Sequence, residues 1–329
     1  MLDTVAAMAA AWIRRRVPTT VLALPWVAWA VLRASGSERG FPLVPAMSFT
    51  PYAAATSVLP LAAAVAARSR TAGLMAAGSG AVLGGAVLAR RGRRPLAAVA
   101  DGPPIRIATV SLRRGLVPPA AVVDLVRRFD VDVLSVQELT PRADTGLRAA
   151  GIGGWLPWAH VIPARPGSPA SASGAIWTRL PAEDAGAVPG TFEQPTVRIA
   201  PPGRQAVDVT AVHTAPPSTS PRSVRHWADD LAALPAPDDD ALRVLAGDFN
   251  ASLDHAALRA VLRRGWADAA QRVGRGLAWT WRPLLFPWPR LAIDHVLVDP
   301  RISVASVHLE RLKGSDHRAL VVDLVLPAS

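Results

Sequence analysis

Three charge-free apolar runs near the N-terminus constrain most strongly how this chain can fold. They cover residues 17–32, 41–67 and 71–89, and arginines flank them. A membrane-spanning helix needs about 20 mainly apolar residues, and long arginine side chains can extend a shorter run. Three buried core helices of a soluble protein are a weak alternative, because no charged residue interrupts any run. The pattern predicts an anchor of about three transmembrane helices in residues 1–94, which contacts a lipid bilayer through residues 17–89.

The orientation of this anchor is less strongly determined. A cleaved signal peptide is the alternative for the first run, but the two further runs favour a permanent anchor. Five arginines would flank the runs on the inner side and six on the outer side, so the positive-inside rule does not decide. Since the first helix usually dominates, we expect an integral plasma-membrane protein with its N-terminus inside and its C-terminal part extracytoplasmic.

The net charge of +11 belongs mainly to the apolar segment. Residues 1–100 contain 11 arginines and two acidic residues, whereas residues 101–329 contain 25 basic and 23 acidic residues, a net charge of +2. A duplex-binding domain usually carries a basic surplus. The composition therefore argues against avid duplex binding by the C-terminal part. The absence of Cys excludes disulfides and thiolate metal sites.

Strand and helix patterns alternate through residues 105–329, after a short linker at 95–104. Helical spacing covers 117–129, 140–150, 222–234 and 255–264, with Asp254 as the expected N-cap of the last helix. This alternation favours two packed sheets flanked by helices. The predicted strands are 105–112, 131–136, 173–178, 206–212, 242–246, 291–298, 302–309 and 320–326.

Polar side chains recur at the ends of these strands. Each has an ordinary alternative, such as a helix cap for Glu138 or a satisfied core histidine for His213. Together, carboxylates and an amide suit an oxygen-preferring cation such as Mg2+, and histidines beside carboxylates suit proton transfer and stabilisation of a charged phosphorane. The set consists of Glu138, His213, Asp248 with Asn250, Asp294 within its strand, and Asp316 with His317.

The order of these motifs resembles the endonuclease/exonuclease/phosphatase superfamily, the DNase I-like metal-dependent phosphoesterases. The resemblance covers roughly residues 105–326, and the combination is specific although each motif alone is weak. It implies a four-layer α/β/β/α sandwich that hydrolyses a phosphodiester or phosphomonoester with water. The matching motifs are Gln137-Glu138, Val212-His213, Gly247-Asp248-Phe249-Asn250, Ile293-Asp294-His295 and Ser315-Asp316-His317.

The resemblance also implies a role for each site residue. Glu138 would bind Mg2+ or Mn2+, and Asp316 would lie beside the metal. Asp248 would orient or deprotonate the attacking water, and Asn250 would hold a phosphate oxygen. His213 would stabilise the transition state. His317 would contact the phosphate while it is paired with Asp294.

One motif departs from the family pattern. The first strand of the family ends in Asn, whereas this chain has Val110-Ser111-Leu112. The Ser111 hydroxyl is shorter than an amide and cannot supply its donor and acceptor pair, which puts metal affinity or rate in doubt at this substrate-facing position. A weakened but working enzyme is the preferred interpretation, and a catalytically silent binding module is the alternative.

The substrate is the least determined feature. A lipid head group, a small phosphoester and nucleic acid all fit, so a membrane-tethered nuclease is an alternative function, and no protein partner is implied. An aromatic stretch precedes Asp294 and is interpreted as a packed loop, a membrane-interface segment or a substrate contact. Its members are Trp279, Trp281, Phe286 and Trp288.

Overall fold

The computed structural model describes residues 2–92 and 104–328. The predicted linker lies outside the described residues except for Pro104. The division into an anchor at 1–94, a linker at 95–104 and a catalytic domain at 105–329 therefore stays a prediction.

Five α-helices form the N-terminal region of the described chain. The first and third apolar runs lie in one helix each, but the second divides into short consecutive helices. Its prolines explain the division, since proline lacks the N–H that a helix interior needs; Pro51 and Pro60 fall within two of these pieces. The helices are α1 (Leu2–Ser35), α2 (Leu43–Ala46), α3 (Thr50–Thr56), α4 (Val58–Ala66) and α5 (Arg70–Leu88).

Two helical segments of the described residues are long and apolar enough to cross a membrane. They are Leu43–Ala66 and Arg70–Leu88, whereas the apolar part of α1, Thr19–Ser35, is shorter. Length and composition alone support this finding, and a core helix or a signal sequence can meet the same criterion. The three-helix anchor therefore stays a prediction.

Residues 105–325 contain twelve strands and five α-helices. Most of the predicted elements are present, with ends shifted by a few residues. The helices are α6 (Pro119–Phe129), α7 (Pro141–Ala149), α8 (Pro221–Ala233), α9 (Ala256–Arg263) and α10 (Ala269–Arg272). The strands are β1 (Ile105–Ser111), β2 (Val133–Leu139), β3 (Trp158–Ile162), β4 (Ser173–Thr178), β5 (Ala182–Val188), β6 (Gln194–Ile199), β7 (Val207–His213), β8 (Leu242–Asp248), β9 (Ala267–Asp268), β10 (Asp294–Val298), β11 (Ser303–Arg311) and β12 (Arg318–Val325).

The strands form two mixed six-stranded sheets, in the orders β11-β12-β1-β2-β4-β3 and β5-β6-β7-β8-β10-β9. The pairs β1/β2 and β7/β8 are parallel, and the other pairs are antiparallel. A core of Val, Ile and Leu side chains fills the space between the sheets. Separate apolar clusters pack α6 and α7 on one outer face and α8 and α9 on the other. The predicted α/β fold of two packed sheets flanked by helices is confirmed.

A buried ion-pair cluster joins the helical region to the sandwich. Asp254, which is 0% exposed, accepts from Nε of Arg33 at 2.6 Å and also pairs with Arg90. Arg33 lies in the last turn of α1, and Arg90 follows the end of α5. The predicted N-cap role of Asp254 is wrong, because α9 begins at Ala256 and these arginines occupy the carboxylate. We call these three residues the Asp254 clasp.

The neighbouring His255 strengthens the same junction. The Val44 carbonyl of α2 can only accept, so Nε2 of His255 donates to it at 2.9 Å. Nδ1 then accepts from the Ser252 N–H at 2.9 Å, which requires a neutral ring. Burial lowers the pKa of His255 to about 4, in agreement with that protonation state.

Replacing Asp254 by Asn should strongly destabilise the protein. The change leaves two arginines at a buried junction without their counter-charge, which costs about 3–5 kcal/mol when one partner of a buried pair is removed. The measurement is the thermal unfolding midpoint of the full chain in detergent. The matched control is Asp124→Asn, because Asp124 pairs with Arg127 and Arg128 on the surface, where ion pairs contribute little. Equal midpoints for the two variants would contradict a structural role for the clasp.

Candidate active site

The predicted site residues converge at one edge of the sandwich. Parallel strands bring their carboxyl ends to the same edge, and β1, β2, β7 and β8 deliver Ser111, Glu138, His213 and Asp248 there. His213 is the register partner of Asp248 on one side, and Asp294 is its partner on the other. Asp248 is therefore flanked by two ionisable groups from adjacent strands.

Asp248, Asp294 and His317 form a compact buried cluster. Nδ1 of His317 lies 2.9 Å from Oδ2 and 3.1 Å from Oδ1 of Asp294. Its other ring nitrogen, Nε2, lies 3.9 Å from Oδ2 of Asp248. The three side chains are 2%, 4% and 8% exposed, respectively. The predicted pairing of Asp294 with His317 is thus present in the structure.

The charges in this cluster set its protonation. Burial alone would lower the pKa of His317, but the carboxylates of Asp294, Asp248 and Asp316 raise it to about 10. Burial and the Asp294 charge raise the pKa of Asp248, and the His317 charge opposes this shift. An imidazolium between two carboxylates stabilises an arrangement that two buried anions alone would not tolerate. We expect His317 to be protonated at neutral pH.

His213 has the opposite protonation. It is 4% exposed, its backbone N–H donates to Oε1 of Gln194 at 3.1 Å, and its ring stacks on Phe192 with centroids 4.3 Å apart. Burial, and then the nearby His317 charge, lower its pKa to about 3. A neutral His213 can still donate one hydrogen bond from its ring.

Two site residues occupy the left-handed region of backbone conformation. Glu138 has φ 55° and Asn250 has φ 46°, which is uncommon for residues other than glycine. At Glu138 the pairing of β2 with β4 shifts register. The Asn250 backbone N–H donates to Oδ1 of Asp248 at 2.8 Å, and its side-chain amide donates to the Thr214 carbonyl at 2.9 Å. Such strain is typical of functional sites.

Glu138 and Asp316 form a second acidic pair on the wall of the site. Oε2 of Glu138 accepts from the Arg114 backbone N–H. Burial, and further the Asp316 charge, raise the pKa of Glu138. Oδ2 of Asp316 accepts from Nε1 of Trp281 at 3.2 Å, while no group among the described residues hydrogen-bonds to its buried Oδ1.

Ser111 and Gln137 lie behind this wall. Ser111 is 2% exposed, its carbonyl accepts from the Ser315 hydroxyl at 3.1 Å, and its own Oγ has no hydrogen-bond partner within the described chain. Gln137 is used between the sheets, where its Nε2 donates to Ser135 Oγ at 2.7 Å and Oε1 accepts from Thr109 at 2.9 Å. Gln137 therefore supports the fold rather than the site.

Six of the eight predicted site residues line one cavity of about 680 Å³, whereas Ser111 and Asp294 do not. Its wall also includes residues from the helical region, which the sequence did not associate with the site. Pro45, Ser48 and Phe49 are these helical contributors. From the sandwich, the wall includes Arg114, Glu138, Phe192, His213, Asp248, Asn250, Trp281, Leu291, Asp316 and His317.

A model of the endonuclease/exonuclease/phosphatase family matches residues 108–317, which is more than half of the 329 residues. The chain belongs to this family. It is a hydrolase acting on phosphoester bonds, as the motif resemblance implied. The matched range contains all of the predicted site residues.

Solved structures share the fold at low sequence identity. An endonuclease/exonuclease/phosphatase from Beutenbergia cavernae is 21% identical, with a TM-score of 0.54 over 69% of this chain and 72% of that chain. A humanized D. rerio TDP2 is 15% identical, with a TM-score of 0.52 over 68% and 99%. An AP endonuclease from Archaeoglobus fulgidus is 18% identical, with a TM-score of 0.50 over 68% and 99%. No curated protein sequence matches the chain significantly.

The endonuclease/exonuclease/phosphatase family depends on a divalent metal. Two clusters of acidic residues are candidates to bind it here. Ligand atoms of Asp248, Asp294 and His317 lie within 4.8 Å of one another. That cluster already contains a cation, the imidazolium of His317. Glu138 and Asp316 offer further carboxylate oxygens on the wall of the cavity, and Oδ1 of Asp316 has no hydrogen-bond partner among the described residues. Their donor set fits a hard divalent ion, so they are the better candidates.

Phe192 is a further residue at the site of this family member that the sequence did not indicate. Phe192 lies in a loop, and nothing local in the sequence indicates that it stacks on His213. The aromatic stretch divides: Trp281 lines the cavity and binds Asp316, whereas Phe286 and Trp288 are 64% and 65% exposed. A substrate contact by this aromatic stretch was among the expectations, but the hydrogen bond from Trp281 to Asp316 was not.

The ion pair between Asp294 and His317 makes a testable prediction about titration. Asp294→Asn removes a charge that holds the proton, so the pKa of His317 should fall by about 1–3 pH units. An NMR titration of the histidine ring protons without added metal measures this change. Asp268→Asn is the matched control, since Asp268 makes a similar buried contact of 2.7 Å to His295. A pKa of His317 that is insensitive to Asp294→Asn would show that the pairing does not set its charge.

Proposed function

We propose that the chain is a divalent-metal-dependent phosphoesterase in which Asp248 orients or deprotonates the attacking water. The observation that carries this proposal is the buried cluster of Asp248, Asp294 and His317, of which Asp248 and His317 line the cavity. The 3.9 Å between His317 Nε2 and Asp248 Oδ2 is too long for a hydrogen bond. Both atoms therefore remain available to a water molecule or a phosphoryl oxygen placed between them.

The charges of the site suit a negatively charged substrate. Asp294 keeps His317 protonated, so that its Nε2–H can donate to a phosphoryl oxygen. Asn250 retains a second amide N–H beyond its bond to Thr214, and neutral His213 adds a further donor. Donors fixed in advance around the developing charge are a major source of enzymatic rate acceleration.

Glu138 and Asp316 are the residues proposed to hold Mg2+ or Mn2+. The bound ion supplies polarisation of the phosphoryl oxygen and neutralises the charge that develops there. In support, the pKa of Glu138 is raised by burial and by Asp316, which a nearby cation would reverse. Ser111 stands where the family has Asn, and its unpartnered Oγ is consistent with weakened metal or substrate binding at this corner.

Family membership argues against the silent binding module, because the predicted catalytic groups other than the Asn are present. The net charge of only +2 over residues 101–329 gives little support to a membrane-tethered nuclease. The D. rerio TDP2 complexed with single-strand DNA product shows that a protein of this fold binds nucleic acid. For this chain we favour a small or lipid-linked phosphoester.

The proposed catalytic groups can be tested with bis-p-nitrophenyl phosphate and Mg2+ or Mn2+. Asp248→Asn and His317→Gln should each lower kcat by at least ~100-fold, because general-base catalysis alone contributes about 10²–10⁴-fold. Removing the metal with a chelator should abolish turnover of the wild type. The surface variants Asp144→Asn and His226→Gln are matched controls that should keep the wild-type rate. Near wild-type turnover by Asp248→Asn would refute its assignment.

We further propose that the helical region anchors the protein in the plasma membrane with the sandwich outside the cytoplasm. In support, only 22% of the apolar window in each candidate span is buried within the protein. Large apolar side chains are exposed on these helices, including Val58, Leu59, Val65 and Leu74 at 60%, 59%, 69% and 76%. Contiguous exposed apolar surface of this kind marks interaction or membrane contact.

Protease added to intact cells tests this orientation. We expect a tag at the C-terminus to be degraded without cell lysis, because it would lie outside the membrane. A cytoplasmic marker protein serves as the control for lysis. Protection of the tag in intact cells and its loss after permeabilisation would reverse the proposed orientation.

A further inference from the structure

An apolar groove in the helical region adjoins the active-site cavity. The groove has a volume of about 290 Å³ and lies between α1 and α3. Phe49 lies immediately before α3, is 38% exposed, and lines both the groove and the cavity that contains Asp248 and His317. The two spaces therefore adjoin at Phe49. The groove is lined by Pro25, Trp26, Trp29, Phe49, Tyr52, Ala53 and Thr56.

The polar atoms of this groove are already bonded within the protein. Nε1 of Trp26 donates to the Ala53 carbonyl at 3.1 Å and lies 3.2 Å from Thr56 Oγ1. Nε1 of Trp29 donates to Thr50 Oγ1 at 3.0 Å. The Tyr52 hydroxyl accepts from the Arg290 N–H at 2.7 Å and lies 3.2 Å from the Arg290 carbonyl. What remains for an occupant is ring and methyl surface, which suits a hydrocarbon chain.

The loop that is bonded to Tyr52 of α3 has a similar apolar character. Arg290, held by Tyr52, ends a loop whose Leu285, Phe286 and Trp288 are 89%, 64% and 65% exposed. Inside the loop, Arg282 donates to the Phe286 carbonyl at 3.2 Å and Arg290 to the Pro287 carbonyl at 3.1 Å. These bonds hold the loop so that apolar side chains project outward beside α3. Aromatic and arginine side chains together are favoured at membrane interfaces.

We infer that the substrate is a phosphoester of a membrane lipid. Its phosphate lies among Asp248, Asn250 and His317, and its hydrocarbon chain passes Phe49 into the groove between α1 and α3. This inference rests on the proposed phosphoesterase function and specifies its substrate class. Water adds its oxygen to phosphorus, one ester P–O bond breaks, and the leaving oxygen takes a proton to give an alcohol. The groove thus selects the substrate by its chain, and the site cleaves it at the phosphate.

A pair of chromogenic diesters that differ only in chain length tests the inference. Methyl p-nitrophenyl phosphate and dodecyl p-nitrophenyl phosphate have the same scissile bond, and the full chain is assayed with Mn2+ in detergent micelles. The wild type should prefer the dodecyl ester in kcat/KM. Ala53→Trp fills the groove and should reduce kcat/KM for the dodecyl ester by at least ~10-fold, since each buried CH2 contributes to binding. It should leave the methyl ester within about twofold.

The matched control is Ala55→Trp, which adds the same side chain to an exposed position of α3 two residues away and should change neither rate. An unchanged ratio of dodecyl to methyl rates in Ala53→Trp would overturn the lipid assignment while leaving the phosphoesterase intact. No metal-dependent turnover of either ester by the wild type would instead refute the proposed function and, with it, this inference. Should Ala53→Trp lose activity on both esters, the smaller Ala53→Leu replaces it, and the same ratio decides.

Discussion

The site depends on the electrostatic balance of two carboxylates that strand pairing forces together. Asp248 and Asp294 are register partners on β8 and β10, and both are buried. Two such anions are tolerated only with a cation beside them. That cation is His317, which arrives from the loop before β12 in the other sheet. The packing of the two sheets therefore brings together the charged groups on which the chemistry of the site depends.

The sequence was informative where a strand is buried on both faces. In β8, apolar residues at 244–246 lead to Gly247 and the carboxylate of Asp248, so the strand and the position of Asp248 at its end were predicted correctly. β5 was missed because Ala182–Val188 is an edge strand whose residues are exposed or half-buried, without the alternation that marks a strand. β6 contains Pro195, which normally argues against a strand. Pairing with neighbours, rather than local pattern, determines these two elements.

The motifs predicted which side chains converge, but they could not predict what lies between them. Phe192 on His213, Trp281 on Asp316 and Phe49 on the cavity wall are contacts between distant parts of the chain. Asp254 is the clearest case, because its position before a helix suggests a cap. Its burial beside two arginines from the helical region decides otherwise, and no local pattern encodes that. Features that follow from motif order could thus be predicted from the sequence. Features that depend on packing between distant regions could not.

Arg33 and Arg90 reach Asp254 from the ends of two different helices, and His255 donates to the Val44 carbonyl of a third. The sandwich is therefore fixed to the helical region at more than one point. The catalytic cavity consequently keeps a constant height and tilt relative to these helices. With the helices in a bilayer, encounters between enzyme and lipid become lateral and two-dimensional. The rate of hydrolysis would then follow the mole fraction of substrate in the enzyme's own leaflet, and dilution of the whole suspension would leave it unchanged.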